Sequence, residues 1–361
     1  MLIGIDGNEA NVEKRVGIGE YAYELLIQFE KLRAPRLNFV IYLKENPCAD
    51  FPKERDGWEY RVIGPKKFWT QIALPIDLYL HSPKPDVFFT PSHYAPRFSP
   101  VPTVISIMDL SYIKYPQLFK KSDLYQLRNW TRYSVKKASK VFTISLASKD
   151  DIIEEYKISK NKVIVTYPGL KQNIGEKPKS FMSKYILFVG TLQPRKNIVR
   201  LIEAFSRIKD KHKDLKLVIV GKKGWLFNEI LKAPEKYGVE KDVEFLEYVT
   251  DNEMPNLYKN AECFVLPSLY EGFGLPVLDA MKNGCPVILS NISSLPEAGG
   301  NAALYIDPEN VNDISEKIDK VLTDKKIRSD MIKKGYEQVK KFSWEKTAKE
   351  TLRVLEGIAN A

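Results

Sequence analysis

Short apolar runs alternate with longer helical stretches along this whole chain, and the pattern restarts half-way. In the first half Leu2–Asp6, Phe39–Leu43, Val87–Thr90, Thr103–Met108, Val141–Ser145 and Lys162–Thr166 read as strands. Gly17 to Leu32 reads as an amphipathic helix, with Ile18, Tyr21, Ala22, Leu25, Leu26 and Phe29 at helical spacing. The second half opens with Tyr185–Gly190 and continues with strands at Leu215–Val220, Val243–Leu246, Glu262–Leu266 and Pro286–Leu289. Such alternation is the mark of α/β domains built on parallel sheets. A chain of 361 residues exceeds one typical domain and suits two. The polar, Gly- and Pro-containing segment Lys171–Lys179 has the composition of a linker. We therefore expect a Rossmann-like domain over 1–172, a second over 173–342, and a terminal helix within 343–361.

Composition narrows the function classes. No apolar run approaches the ~20 residues of a membrane span. Met1 leads straight into a strand, with no signal-peptide pattern. The cysteines Cys48, Cys263 and Cys285 lack CxxC spacing, so reduced thiols in a cytoplasmic protein are expected. With only His81, His93 and His212, a histidine-rich metal site is not indicated. A net charge of +10 raises a nucleic-acid reading, but the basic residues are spread and no recognition motif accompanies them. One exception is Ser122–Lys140, where Arg128, Arg132 and Lys136 form a stripe beside Trp130 and Tyr133. That stripe is either a solvated helix face or a contact with an anionic membrane surface. Lys66-Lys67-Phe68-Trp69 gives a second hint of the same kind.

The segment Pro267–Ala280 carries the most chemistry. Glu271 and Asp279 lie eight positions apart, around the turn Gly272-Phe273-Gly274-Leu275 and then Pro276. Gly272 and Gly274 let a ligand approach the backbone N–H groups. Pro276 fits the first turn of a helix running to about Asn283, with Gly284 as its cap. Helix N-termini favour phosphate, and carboxylates hold pairs of hydroxyls. The layout reads as a grip on a nucleoside diphosphate sugar.

Three further motifs fall in strand-to-helix loops, where open α/β sheets bind ligands. Gly190-Thr191-Leu192-Gln193-Pro194-Arg195-Lys196-Asn197 places two cations at a helix start, with Asn197 as its N-cap. Fixed cations there stabilise charge that develops on a departing diphosphate. Gly17-Ile18-Gly19 opens the first long helix and gives close backbone access to a ligand. Asp109 ends a strand at Met108-Asp109-Leu110 and either orients a substrate or caps the next loop.

Glu271 to Asp279 resembles the E-x7-E signature of retaining glycosyltransferases, especially glycosyltransferase family 4, with Asp in place of the second Glu. Gly190–Asn197 resembles that family's G-T-x-x-P-R-K-N stretch, and Gly17-Ile18-Gly19 its first-domain glycine loop. Met108 stands where the family's H-D-L motif has His, and His93 in a preceding loop is a candidate substitute. Ser145 and Ser148 resemble the family's V-S-x-x-S segment, although helix capping suffices to explain them.

The resemblance implies a GT-B fold: two Rossmann-like domains with parallel sheets facing across a cleft, and a terminal helix returning to the first domain. It implies an acceptor-binding first domain and a donor-binding second domain. Arg195, Lys196, Glu271 and Asp109 would be catalytic. Gly17, Gly19, Gly272, Phe273, Gly274, Leu275 and Asp279 would bind the donor, with Val249 and Asp251 where the family packs the nucleobase. The co-substrate would be a nucleoside diphosphate sugar, GDP-mannose or a UDP-hexose, and the acceptor a glycan or lipid-linked glycan. No metal or other cofactor is required, because cations and helix ends balance the diphosphate. An epimerase, a phosphorylase and a basic nucleic-acid-binding protein remain as other readings.

Overall fold

The computed structural model describes residues 1–32, 36–170 and 184–361. The expected linker, Lys171–Lys179, lies outside the described residues. The chain divides into two compact units. The first holds Met1–Lys114, Phe119–Gly169 and Ser343–Ala361; the second holds Tyr115–Leu118 and Leu170–Phe342.

In the first unit β1 (Leu2–Asp6) leads to α1 (Ile18–Leu32), β2 (Asn38–Leu43), β3 (Trp58–Val62), α2 (Ala73–Leu80) and β4 (Val87–Thr90). Then come β5 (Thr103–Ser106), α3 (Ser111–Lys114), α4 (Lys121–Lys137), β6 (Lys140–Thr143), α5 (Leu146–Tyr156) and β7 (Val163–Val165). The strands form one parallel sheet in the order β3-β2-β1-β4-β5-β6-β7. Strand β3 is not evident in the sequence. Its Trp-Glu-Tyr-Arg-Val run sits at the sheet edge, where only Trp58 is fully covered. Ile3, Ile5, Phe39, Ile41 and Phe89 pack beneath α1 on one face. Val40, Tyr42 and Phe88 on the other face pack against Trp69, Ala73, Leu74 and Leu78 from the α2 segment. Thr90 pairs with Ile105, and Ile105 with Val141, so the cluster under α4 and α5 shares the α2 face.

In the second unit β8 (Tyr185–Val189) is followed by α6 (Ile198–Lys209), β9 (Lys216–Val220), α7 (Asn228–Lys236), β10 (Val243–Leu246), α8 (Met254–Asn260) and β11 (Cys263–Leu266). The rest is α9 (Leu275–Lys282), β12 (Val287–Ser290), α10 (Leu295–Gly299), β13 (Ala303–Ile306), α11 (Val311–Thr323) and α12 (Lys325–Val339). The order is β10-β9-β8-β11-β12-β13, again all parallel. The half-covered edge strand β13 is not among the strands expected from the sequence, although Ala-Leu-Tyr-Ile is a short apolar run.

Helix α13 (Trp344–Ala359) packs on α1 in the first unit, as the sequence leads us to expect. Its start fits there because residue 169 is glycine: a Cβ on Gly169 would stand 2.1 Å from the Trp344 amide nitrogen. Trp344 meets Tyr21 edge to face at 5.9 Å, and the Thr347 hydroxyl donates to the Tyr167 carbonyl.

Each sheet reverses its strand order once: between β1 and β4, and between β8 and β11. Open α/β sheets form their ligand crevices at such reversals.

Candidate active site

At the β8/β11 reversal two loops meet. Strand β11 is fully buried and stops at Pro267. The chain then turns through Ser268–Gly274 into α9. Gly274 has φ 96°, a left-handed conformation that favours glycine. Pro276 occupies the first turn of α9, and Gly284, with φ 72°, follows its C-cap. The helix-start and helix-stop signals in the sequence thus fall where α9 begins and ends.

After β8 the chain makes a tight turn at Pro194–Lys196, and Asn197 takes a left-handed conformation with φ 59°. Asn197 does not cap α6 with its side chain, which corrects the capping expectation. Its left-handed backbone aims the amide elsewhere: Nδ2 donates to the carbonyls of Pro267 (3.0 Å) and Pro308 (2.6 Å). The Leu269 amide donates to the Arg195 carbonyl at 2.8 Å. Asn197 and this bond tie the β8 loop to the β11 loop.

Between the two loops lies a buried ion triad. Glu271 is 6% exposed. Lys196 Nζ donates to its Oε1 at 2.5 Å, and Arg195 Nη1 donates to its Oε2 at 3.2 Å. Ser268 Oγ adds a bond to Oε1 at 2.6 Å, and Arg195 Nη1 also reaches the Tyr270 carbonyl at 2.8 Å. The Glu271 carbonyl accepts from the hydroxyls of Ser293 (2.6 Å) and Ser294 (2.8 Å). Burial alone would raise the Glu271 carboxyl. Lys196, Arg195 and the hydrogen bonds overcome it and lower its pKa to about 2. Glu271 is therefore ionised at neutral pH, and two cations around one anion leave the triad a net positive charge beside the α9 N-terminus.

The other residues singled out in the sequence are spread more widely. Asp279 is half-buried in α9, which begins at Leu275, beyond the turn that holds Gly272 and Phe273. Val249 (half-buried) and Asp251 (exposed) lie after β10 at the sheet edge, two strands from β8. Gly17, Gly19 and Asp109 belong to the first unit. Gly17, with φ 55°, precedes α1 and faces open space on its Cβ side, whereas Gly19 is buried against the Glu9 carbonyl. Asp109 Oδ1 accepts from the Ser111 amide at 2.8 Å, the capping role allowed for it. Ser145 caps α5 through the Ser148 amide, and the Ser148 hydroxyl holds the Met108 carbonyl at 3.0 Å. His93 stacks edge to face on Tyr94 at 4.3 Å, and burial lowers its pKa to about 4 despite the opposing charge of Asp109.

The model of the family described as Glycosyl transferases group 1 matches residues 171–338. Over 305 residues the chain is 30% identical to O-antigen chain mannosyltransferase B of Escherichia coli, covering 81% of this chain and 78% of that protein. The chain belongs to the group 1 glycosyltransferases. It is also 30% identical over 207 residues to O-antigen chain mannosyltransferase RfbU of Salmonella typhimurium, covering 57% of this chain and 56% of that one. Among solved structures, Alr3699/HepE of Anabaena in complex with UDP and glucose aligns with a TM-score of 0.74 at 17% identity, covering 99% of both chains. Sucrose-phosphate synthase of Thermosynechococcus elongatus aligns with a TM-score of 0.75, also at 17% identity, covering 99% of this chain and 98% of that one. These likenesses show that the fold is GT-B.

As a group 1 glycosyltransferase the chain is a retaining hexosyltransferase with a nucleotide-sugar donor and an acceptor. Several groups that build the ion triad are not singled out by the sequence. Ser268, Ser293 and Ser294 come from two different loops, and only folding brings them to Glu271. Ser293 takes a left-handed backbone with φ 58°, which no local sequence pattern announces. In the first unit, Asp6 and Glu9 at the end of β1 also escape the sequence reading. Burial raises both of their pKa values.

Proposed function

We propose that this glycosyltransferase moves mannose from GDP-mannose to a glycan or lipid-linked glycan, with the second unit holding the donor. The observation that carries the donor reading is the Arg195–Lys196–Glu271 triad beside the α9 N-terminus. A diphosphate is the anion such a site fits: a guanidinium fork, an ammonium and helix N–H groups converge where negative charge would sit. Glu271 fixes both cations before any ligand arrives, so little reorganisation accompanies the reaction. Asp279, within the same helix, is suited to accept hydrogen bonds from the ribose hydroxyls. The loop of Val249 and Asp251 would flank the base. Gly17 and Gly19, in the first unit, would let the backbone approach the diphosphate or the acceptor, and Asp109 would orient the acceptor or the donor.

In the reaction the bond between the sugar C1 and the diphosphate oxygen breaks, and a bond from an acceptor hydroxyl oxygen to C1 forms on the same face. The acceptor proton passes to the departing diphosphate oxygen. Arg195 and Lys196 stabilise the charge that builds on that leaving group. Mannose is favoured over other hexoses by the names of the O-antigen mannosyltransferases to which the chain is similar. A UDP-hexose is the second reading, favoured by the UDP and glucose bound in the HepE structure.

A thermal-shift panel of GDP-mannose, UDP-glucose, ADP-glucose and dTDP-glucose tests the proposal. Ligands that bind only the native state raise Tm. GDP-mannose is expected to give the largest rise. A rise with UDP-glucose alone moves the donor to the second reading, and no rise with any sugar nucleotide overturns the donor site.

A further inference from the structure

Helix α2 in the first unit is apolar on both sides. Its inner face, Ala73, Leu74 and Leu78, is buried in the core. Its outer face carries Ile72 at its N-cap, then Ile76, Tyr79 and Leu80, at i, i+4, i+7 and i+8. Ile76 is 52% exposed and Leu80 79%. Phe68, one turn earlier, is 54% exposed, held outward in a left-handed turn with φ 56° whose carbonyl accepts from the amides of Gln71 and Ile72. Asp77, the only charged residue in α2, points inward to Arg61 and His81. A surface helix ordinarily turns polar side chains to water, and one apolar all round is ordinarily covered. A contiguous apolar patch on a monomer marks a contact surface.

The charges around this patch say what covers it. Lys67 and Lys84 flank it, stacked over Phe68 and Tyr79, and neither forms an ion pair among the described residues. Lys66 pairs with Glu45. Helix α4 covers the same face of the sheet, and its outward side carries Lys121, Arg128 and Arg132 along an open depression of about 450 Å³. Phe98, 76% exposed, lies against α4 through the Tyr133 hydroxyl. Apolar side chains in the centre with cations beside them match the acyl boundary and headgroups of an anionic bilayer. No helix among the described residues is long and apolar enough to cross a membrane, so the contact would be interfacial.

We infer that the outer face of α2, flanked by the cations of α4, docks this protein on the surface of an anionic lipid bilayer. In the sequence alone the arginine stripe of α4 and the Lys66–Trp69 segment carry equal weight. The structure separates them: α2 supplies the apolar contact, Trp69 is buried beneath it, and α4 supplies only charge. The inference does not depend on which donor the second unit takes.

The test is co-sedimentation of the full chain with vesicles of phosphatidylcholine containing phosphatidylglycerol, and with vesicles of phosphatidylcholine alone. The full chain is expected to bind the anionic vesicles, less at high salt, and only weakly the neutral ones. Ile76→Ser/Leu80→Ser should lower the partition coefficient by about tenfold or more. Arg128→Gln/Arg132→Gln should lower it less and flatten the salt dependence. Because these side chains are exposed, Tm and the Tm rise with sugar nucleotide should stay at wild-type values, which keeps a failure here distinct from a failure of the donor site. Absence of binding to anionic vesicles, or undiminished binding by Ile76→Ser/Leu80→Ser, overturns the inference. So does a wild-type dimer that this variant dissociates without any vesicle binding, since the face would then join two copies of the chain.

Discussion

Both units bury a carboxylate where their sheets reverse strand order, and they treat it in opposite ways. Asp6 ends β1 and Glu271 follows β11, and each is 6% exposed. Burial raises Asp6, and the Asn8 bonds at 3.1 and 2.6 Å, with a more distant Lys44, do not overcome it. Glu9 is likewise raised, by burial and then by the charge of Asp6. Burial pushes Glu271 the same way, but two cations in direct contact reverse the outcome. Equal burial therefore does not predict the direction of the shift; the contacting partners do. The second unit keeps fixed charges of both signs with a positive excess, suited to an anionic diphosphate. The first keeps carboxyl groups with little cationic compensation.

The difference can be broken from either side, and the second unit should respond most. Arg195→Ala is expected to lower kcat by about a hundredfold or more, as when one transition-state donor is lost. Near-normal turnover in a steady-state assay would remove Arg195 from the reaction. Glu271→Gln should come next, and it tests the ion triad more cleanly than Ala because it keeps the shape and the Ser268 bond. A carboxyl held from 4.5 down to about 2 contributes on the order of 3 kcal/mol of stability. The sign follows from the lowered value: the contribution is present above pH 4.5 and is lost as pH falls through about 2. Chemical unfolding should therefore show a gap between wild type and Glu271→Gln at pH 7 that narrows below about pH 4. A gap that does not change with pH would place the stability elsewhere.

Asp279→Asn should act on binding rather than on the ion triad. Titration with GDP-mannose should show Kd weakened by about tenfold, the worth of a charged hydrogen bond. Unchanged affinity would take Asp279 off the ribose. Asp6→Asn should give the smallest effect and the opposite sign. A raised carboxyl costs stability as pH rises above the ordinary carboxylate range, so the variant should match or exceed wild type at pH 7 by up to about 1 kcal/mol. Urea midpoints compared at pH 4 and pH 7 would show it. A large loss at pH 7 would mean that the Asn8 bonds matter more than the charge.

Much of this is legible in the sequence where local chemistry decides. Strands such as Cys263–Leu266 are covered on both faces and read as unbroken apolar runs. Gly274, Pro276 and Gly284 bracket α9 as their backbone preferences require. Edge strands are less legible: Trp58–Val62 is only half covered and its apolar run is broken by Glu59 and Arg61, while Ala303–Ile306 is an apolar run of only four residues. The cations Arg195 and Lys196 can be named from their loop, but their pairing with Glu271 spans some 75 positions. No local pattern announces Ser293 and Ser294 under the Glu271 carbonyl, or the reversed behaviour of Asp6, because both arise from packing. Asn197 carries a capping signal, and its left-handed backbone turns the amide to a long-range role instead.

Isothermal titration of GDP and UDP into wild type and Lys196→Ala at constant salt tests most directly whether the second unit's cations, fixed by Glu271, hold a nucleoside diphosphate. Saturable binding of one nucleotide by wild type, weakened at least tenfold in Lys196→Ala, is the predicted result. Equal affinity in the two proteins, or no binding of either nucleotide by wild type, would contradict it.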